Sequence, residues 1–243
     1  MLAAAASVVA GGIAAVTGFG IGSILTPVFQ LRHDMRLAVA AVSIPHVVAT
    51  ALRLWRFRRE IDPHVLKSFG LMSAAGGLTG ALLQRYATGP GLTVLFAALL
   101  MFAGIAGLTG LSERVRLGRT SGWVAGVLSG ALGGLVGNQG GIRSAALLGY
   151  DLPPARFVAT ATAAGLIVDA ARMPVYIATE GPRLAQMTDV IAVATIGAVV
   201  GTIVGGNVLK TLPPAVFRKI VGALVLGLGI YMLSRALQGR LVS

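Results

Sequence analysis

The chain has 243 residues, of which 56% are hydrophobic and only 12% are charged, and its mean hydropathy is +0.84. This composition excludes an ordinary soluble domain, in which about a quarter of the residues are charged. The net charge of +12 would indicate nucleic-acid binding in a soluble protein, but here the basic residues lie between apolar windows, so we expect no nucleic-acid partner.

Six regular apolar windows of transmembrane length follow one another along the chain. They span 37–55, 65–83, 92–111, 157–178, 188–209 and 215–237, with less regular windows at 2–31 and 121–149. Each regular window is close to the ~20 residues that a helix needs to cross a ~30 Å hydrocarbon core. A membrane β-barrel would need alternating apolar and polar residues, and no window shows this period. We therefore predict an all-α integral membrane protein.

The first apolar window has no basic leading region, so we expect it to be part of the mature protein rather than a signal peptide. Both less regular windows contain a glycine-rich interruption, TGFGIGSILTP at 17–27 and VGNQGGIRSAA at 136–146. Clustered glycine and Pro27 disfavour a continuous helix. Paired interruptions in two internal repeats indicate a transport site, because irregular backbone inside a membrane must line a cavity or be buried in protein. The alternative is that these glycines only permit close helix packing.

The sequence repeats itself with a shift of 119 residues, which places 18–57 on 137–176 without a gap. The glycine interruptions coincide in this overlay, and Arg53 coincides with Arg172. We therefore predict two homologous membrane repeats that together form one transmembrane domain, each with a glycine-broken segment followed by three transmembrane helices. The expected boundaries are 1–118 for the first repeat and 119–243 for the second.

The basic residues between the helices indicate how the two halves are oriented. In the first half a strongly basic connection precedes one that carries only Arg85, whereas in the second half Arg183 alone precedes the basic connection. The two basic connections contain Arg56, Arg58, Arg59 and Lys67, and Lys210, Arg218 and Lys219. Because cytoplasmic loops collect lysine and arginine, this reversal predicts inverted repeats. An inverted arrangement requires each broken segment to enter and return as a re-entrant hairpin. It places Arg235 and Arg240 on the side opposite to the two basic connections, against the charge rule.

A known family has this combination of motifs. Each half opens with a G-x-G-x-G or Q-G-G break, and the second half carries QGGIRS at 139–144 and DAARMPVY at 169–176. The chain resembles the TauE/SafE sulfite-exporter family over essentially its whole length, although its first break, GFGIG, departs from the glycine triplet of many members. The resemblance implies a multi-pass permease for small anions, commonly sulfite or organosulfonates, which we expect in the cell (inner) membrane.

Arg143 is the first candidate for contact with such an anion. An arginine near the centre of a bilayer is costly, so it usually faces a partner or a wet cavity. Arg143 follows a glycine-rich turn, where backbone N–H groups and a helix N-terminus attract anions. Its guanidinium can also form bidentate hydrogen bonds with two oxygens of an oxyanion. The predicted substrate-binding residues are Arg143, Asn138, Gln139, Gly140, Gly141, Gly20, Gly22, Ser23, Arg53 and Arg172, with Thr17 and Thr26 as minor candidates. The amides of Asn138 and Gln139 have an alternative role, which is to replace missing backbone hydrogen bonds.

Asp169 is the only acid deep within an apolar window. Its spacing from Arg172 predicts an ion pair on one helix face, while the alternative is a proton-carrying or substrate-linked role. His46 is a candidate for a proton-linked role, because histidine is the side chain suited to one near neutral pH, and the alternative is a packing or hydrogen-bonding residue. Asp169 and His46 are the candidates for coupling or gating, with protons as the coupling ion. Pro174 predicts a kink just beyond the pair, either a hinge or a simple bend.

The expected function is secondary transport of a small oxyanion by alternating access between the two repeats. A passive anion channel shares these sequence features. An intramembrane enzyme has less support, because the chain has no cysteine, no H-E-x-x-H motif and no nucleophile–base spacing. We expect no cofactor, and no metal site, because His33, His46 and His64 are scattered. The oligomeric state and the direction of net flux stay open.

Overall fold

The computed structural model describes residues 2–17, 20–87, 90–111, 122–208 and 213–239. This part of the chain forms ten helices of nine or more residues and a short 3-10 turn at Arg58–Glu60, which confirms the all-α prediction. They are α1 Leu2–Thr17, α2 Ile21–Gln30, α3 Met35–Phe57, α4 Pro63–Gln84, α5 Gly91–Thr109, α6 Gly122–Val136, α7 Gly140–Leu148, α8 Pro154–Ala185, α9 Thr188–Val208 and α10 Pro214–Leu237. Gly18, Lys210 and Arg240, on which the sequence arguments drew, and the side chain of Thr17 lie outside the described residues.

In the part of the chain that the structure describes, six of these helices are long and apolar enough to cross a membrane. The candidate spans are Met35–Glu60, Pro63–Gln84, Gly91–Thr109, Ala155–Ala185, Thr188–Gly205 and Ala215–Leu237. Each of the six predicted windows falls on one of them. Large apolar side chains such as Phe102, Ile196 and Ile230 are exposed on these helices, as expected where the surrounding solvent is lipid. The protein is therefore a multi-pass membrane protein.

Both predicted interruptions break the helices and turn the chain back. Gly20 has φ 130° and Gly137 has φ 73°, backbone conformations that are costly for residues with a Cβ. At the second break Ser129 Oγ donates to Gln139 O at 3.1 Å, whereas ten residues of continuous helix span ~15 Å. At the first break a Cβ on Gly20 would lie 3.0 Å from Ile13 Cγ2. The pairs α1–α2 and α6–α7 are therefore helical hairpins.

The two hairpins open at opposite ends of the molecule. The beginning of α1 and the residues after α2 line one cavity of about 250 Å³, in which Leu2 lies near His33. The beginning of α6 lies against the residues after α7, since a Cβ on Gly122 would be 2.2 Å from Tyr150 Oη. The first opening leads directly into α3, and the second leads into α8.

The helices α3 and α8 run antiparallel through the centre. Arg36 near the beginning of α3 pairs with Glu180 near the end of α8, at 2.9 Å between Nη2 and Oε1. Arg53 near the end of α3 donates from Nε to Thr162 Oγ1 near the beginning of α8, at 3.1 Å. The sequence overlay with a shift of 119 residues places 35–57 of α3 on 154–176 of α8, so the two helices that it aligns lie side by side in opposite directions.

Helices of the two halves also cross with their backbones in contact. A Cβ on Gly201 of α9 would lie 2.0 Å from Val8 O of α1, and one on Gly80 of α4 would lie 2.1 Å from Ala131 O of α6. Close packing through glycine therefore occurs in this protein at the α1–α9 and α4–α6 crossings, as small residues allow between membrane helices. Each hairpin is held by a helix of the other half.

Candidate functional site

The two breaks meet in the middle of the molecule. A Cβ on Gly22 would lie 2.5 Å from Gly137 O, so the first turn of α2 abuts the second break. The helices α2 and α7 both begin at this point, and neither Gly20 nor Gln139 at their N-caps makes a side-chain capping hydrogen bond. Uncapped helix N-termini present unsatisfied N–H groups and a partial positive charge. The meeting point therefore favours a negative charge.

Arg143 lies in the first turns of α7, where its main-chain N–H donates to Gln139 O at 3.1 Å. Its side chain is 3% exposed, and the guanidinium lies against the backbone of α8 at Gly165. This contact holds the charged end of the side chain against the helix that also carries Asp169 and Arg172. The predicted anion-binding residue is thus buried at the centre of the protein.

The ion pair predicted from the spacing of Asp169 and Arg172 is present. Arg172 Nη2 lies 2.7 Å from Asp169 Oδ1, and Nε donates to the same oxygen at 3.0 Å. The other carboxylate oxygen, Oδ2, lies 2.6 Å from His46 Nδ1 on α3. Asp169 is fully buried. Its carboxylate therefore joins a helix of the first half to a helix of the second.

Arg53 and Arg172, which the 119-residue sequence overlay aligns, make similar contacts with the two hairpins. Arg53 Nη1 donates to Ala14 O near the end of α1, and Arg172 Nη1 donates to Gly133 O near the end of α6 at 2.5 Å. A helix leaves carbonyl groups unsatisfied in its last turn and carries partial negative charge there. Each arginine therefore ties the first helix of a hairpin to the long helix that follows in the same half.

The centre carries more positive than negative charge. The charge of Arg143 is close enough to interact with Arg53, Arg172 and Asp169, and that of Arg53 also interacts with Asp169. Among the described residues this group has three guanidinium groups and one carboxylate. Excess charge in an apolar interior is costly unless an opposite charge or water accompanies it. The group is therefore electrostatically suited to an anion.

The other predicted residues surround the second break at different depths. Asn138 is half-buried and Gln139 is buried, and Gln139 Oε1 accepts no hydrogen bond from the described residues. Gly141 is exposed, with no atom within 4 Å of the position that a Cβ would take. Gly140 and, across the break, Ser23 are buried. The beginning of α7 thus has an open side next to a buried guanidinium.

A family profile described as Sulfite exporter TauE/SafE matches residues 3–232. The match includes both breaks and the eight complete helices from α2 to α9. The chain belongs to the sulfite exporter TauE/SafE family. No curated protein and no solved structure matches the chain. Membership confirms the resemblance indicated by the two motifs of the second half, and it assigns the protein to a family of transporters rather than enzymes.

Two residues at the centre of this TauE/SafE protein were missed from the sequence. Thr162 accepts the hydrogen bond from Arg53 Nε. Tyr176 donates from its hydroxyl to Gly134 O at 2.5 Å, and the Arg172 guanidinium lies 5.6 Å from its ring centroid. A signal for Tyr176 was present, because it ends the DAARMPVY segment one helical turn after Arg172. Thr162 had none, because its partner is 109 residues away.

An ion-pair network joins α3 and α8 at the end where the first hairpin opens. Glu180 pairs with Arg36 and with Arg183, each at 2.9 Å, and Arg183 also pairs with Asp34 at the N-cap of α3. Burial raises the pKa of Asp34, but hydrogen bonds from Arg183 and from the Leu37 N–H outweigh it and hold that pKa below its ordinary value. The two positive and two negative charges of this network are therefore mutually neutralised.

Proposed function

We propose that the protein is a secondary transporter of a small oxyanion in the cell (inner) membrane, with sulfite or an organosulfonate as the substrate. The observation that carries this proposal is the buried Arg143 beside two uncapped helix N-termini, in a group with excess positive charge. Sulfite and sulfonates share a sulfur atom with three oxygens, which suits a forked guanidinium and N–H donors. Membership of the sulfite exporter family supports this class of anion.

In the proposed complex the anion lies between the beginnings of α2 and α7. Arg143 forks onto two of its oxygens, and the N–H groups of Gly140 and Gly141 donate to the third. Asn138, Gln139, Gly20, Gly22 and Ser23 complete the site. Arg53 and Arg172 do not contact the anion in this complex. They hold the hairpins in place and add positive charge around the site.

Alternating access has support from the relation between the two halves. The corresponding helices α3 and α8 are antiparallel, and the two hairpins open at opposite ends, as inverted repeats with re-entrant hairpins require. The hairpins differ in one respect, because α2 is enclosed whereas Gly141 of α7 is exposed. In an inverted-repeat transporter, the state that faces the other side of the membrane forms when each half adopts the conformation that the other half had before. We infer that the opposite state encloses α7 and exposes α2.

Asp169 and His46 are the proposed coupling residues. Their contact joins α3 and α8, so a change in its protonation acts directly on the two helices that correspond between the halves. Protons are the coupling ion in this proposal, because histidine is the side chain that ordinarily titrates near neutral pH.

The decisive experiment replaces Arg143 with alanine and with lysine. Arg143→Ala should abolish sulfite-induced thermal stabilisation and sulfite uptake into proteoliposomes, while the melting temperature without sulfite stays near that of the wild type. Arg143→Lys should retain part of the binding, because lysine keeps the charge without the planar fork. Arg85→Ala is the matched control, since Arg85 is exposed at the end of α4.

Wild-type sulfite affinity in Arg143→Ala would contradict the proposed site. A loss of about 3–5 kcal/mol in stability would instead identify Arg143 as the partner of a buried protein group. The same vesicles separate a carrier from a channel, because carrier flux saturates and exchanges with substrate on the other side. Organosulfonates, carboxylates and phosphate tested in parallel define the substrate, and a chemically altered product would indicate an enzyme.

A further inference from the structure

The Arg143 guanidinium lies on a part of α8 that has no side chain. A Cβ on Gly165 would be 2.6 Å from Nη1, 3.4 Å from Cζ and 3.8 Å from Nη2 of Arg143. The first of these distances is shorter than any real carbon–nitrogen contact between unbonded atoms. The guanidinium therefore occupies the space that any other residue at position 165 would fill.

Gly165 differs from the glycines at the helix crossings. At Gly80 and Gly201 the nearest atoms to a Cβ would be backbone atoms of another helix, whereas at Gly165 the three nearest atoms all belong to the Arg143 guanidinium. Glycine inside a helix is less stable than alanine by roughly 0.5–1 kcal/mol. Close helix packing does not account for that cost at Gly165, and room for a guanidinium does.

The repeat indicates the same connection. The 119-residue shift places Arg143 on Ile24 and Gly165 on His46. The half that has an arginine at the first position has glycine at the second, and the half without the arginine has a large side chain there. In this overlay, glycine on the long helix occurs in the half that has the arginine.

We propose that Gly165 is a positioning residue, which sets where the Arg143 guanidinium binds the transported oxyanion. This inference rests on the proposed function. A methyl group at position 165 pushes the guanidinium away from α8 and toward a different angle. The positive charge stays in the site, but the two N–H groups of the fork no longer point at two oxygens of one anion. Bidentate binding depends on this alignment.

The test compares Gly165→Ala with Gly181→Ala, which lies on the same helix with no atom within 4 Å of its Cβ position. Gly165→Ala should raise the Kd for sulfite at least tenfold without lowering the melting temperature, because the displaced atoms end a flexible side chain and alanine favours the helix. Gly181→Ala should leave the Kd unchanged. A fall in melting temperature as large as that of Gly80→Ala would identify Gly165 as a packing glycine and overturn the proposal.

A double-mutant cycle tests whether Gly165 acts through Arg143. Arg143→Lys should weaken sulfite binding strongly in the wild-type background and much less in the Gly165→Ala background, because the fork is already misaligned there. Additive effects would overturn the proposal. If Arg143→Ala loses sulfite binding while Gly165→Ala binds normally, the positioning role fails and the proposed function stands. If Arg143→Ala binds sulfite normally, the proposed function itself fails.

Discussion

Asp169 shows how a single buried side chain connects the two halves of the molecule. Its two carboxylate oxygens serve different helices, one facing Arg172 on α8 and the other facing His46 on α3. In a low-dielectric interior, loss of the carboxylate costs these partners more free energy than loss of a partner costs exposed groups. Without the carboxylate, Arg172 keeps the hydrogen bond to Gly133 O and the contact with the Tyr176 ring, neither of which carries a full negative charge. The free energy of folding should therefore be sensitive to this one acid.

We expect Asp169→Asn to destabilise the protein by about 3–5 kcal/mol, because it leaves Arg172 buried without its counter-charge. The melting temperature of purified protein in detergent measures the effect. Asp189→Asn is the control, since Asp189 is exposed at the beginning of α9 and surface substitutions usually stay within about 0.5 kcal/mol. The double variant Asp169→Asn, Arg172→Gln should recover part of the loss. An unchanged melting temperature together with lost proton-driven uptake would assign Asp169 to proton transfer instead.

The contacts of Asp169 also show which parts of the site can be predicted from the sequence. The pair with Arg172 was predictable, because residues three apart on a helix face the same side. The contact with His46 joins residues 123 apart in the chain and follows from the packing of α3 on α8, which hydropathy does not encode. The same limit applies to Arg143, whose place beside Gly165 requires the course of two helices to be known.

Among the helices, partners are selected by glycine rather than by apolar character. The crossings of α1 with α9 and of α4 with α6 bring backbones into direct contact at Gly201 and Gly80. Lipid is as apolar as a leucine side chain, so burial alone does little to drive one membrane helix onto another. Close approach and the resulting dispersion contacts have to do so, and a Cβ at either glycine would prevent that approach.

We expect Gly80→Ala and Gly201→Ala each to lower stability by at least about 1–3 kcal/mol, as overpacking does in a close-packed interior. Gly227→Ala on α10 should have no such effect, because no atom lies within 4 Å of its Cβ position. Melting temperatures in one detergent measure all three variants. Equal values for the three would mean that these crossings are looser than their geometry indicates.

The existence of the helices was predictable, whereas their partners were not. All six regular windows became membrane-length helices, because an apolar stretch of about 20 residues has few other stable structures in a bilayer. Both breaks were predictable from clustered glycine. The π-helical turn Leu66–Gly70 within α4 was not, since it depends on how that helix meets its neighbours.

Among the described residues, basic side chains are more numerous at one end of the molecule than at the other. Arg156 at the beginning of α8 lies 4.0 Å from Asp62, just after α3, and Arg218 of α10 lies near Gly110 after α5. This end also carries Arg56, Arg58, Arg59, Lys67 and Lys219. At the other end Arg36 and Arg183 are paired with acids. Because positive charge is retained on the cytoplasmic side, the basic end should face the cytoplasm.

Orientation can be tested directly because the chain has no cysteine. Glu60→Cys places one thiol at the basic end, and Tyr86→Cys places one at the other end, both at exposed positions. A membrane-impermeant maleimide should label Tyr86→Cys in intact cells and Glu60→Cys only after permeabilisation. The reverse pattern would show the opposite orientation, and labelling of both variants in intact cells would show that the protein inserts both ways.

The crossing of α1 with α9 has a consequence for how the protein is made. α1 ends at Thr17 and α9 begins at Thr188, and ribosomes add roughly 5–20 residues per second. On the order of ten seconds therefore pass between the emergence of α1 and that of the helix against which it lies. During this interval its glycine face must be covered by lipid or by the insertion machinery. α1 therefore reaches its native neighbour only after α2 to α8 have been synthesised.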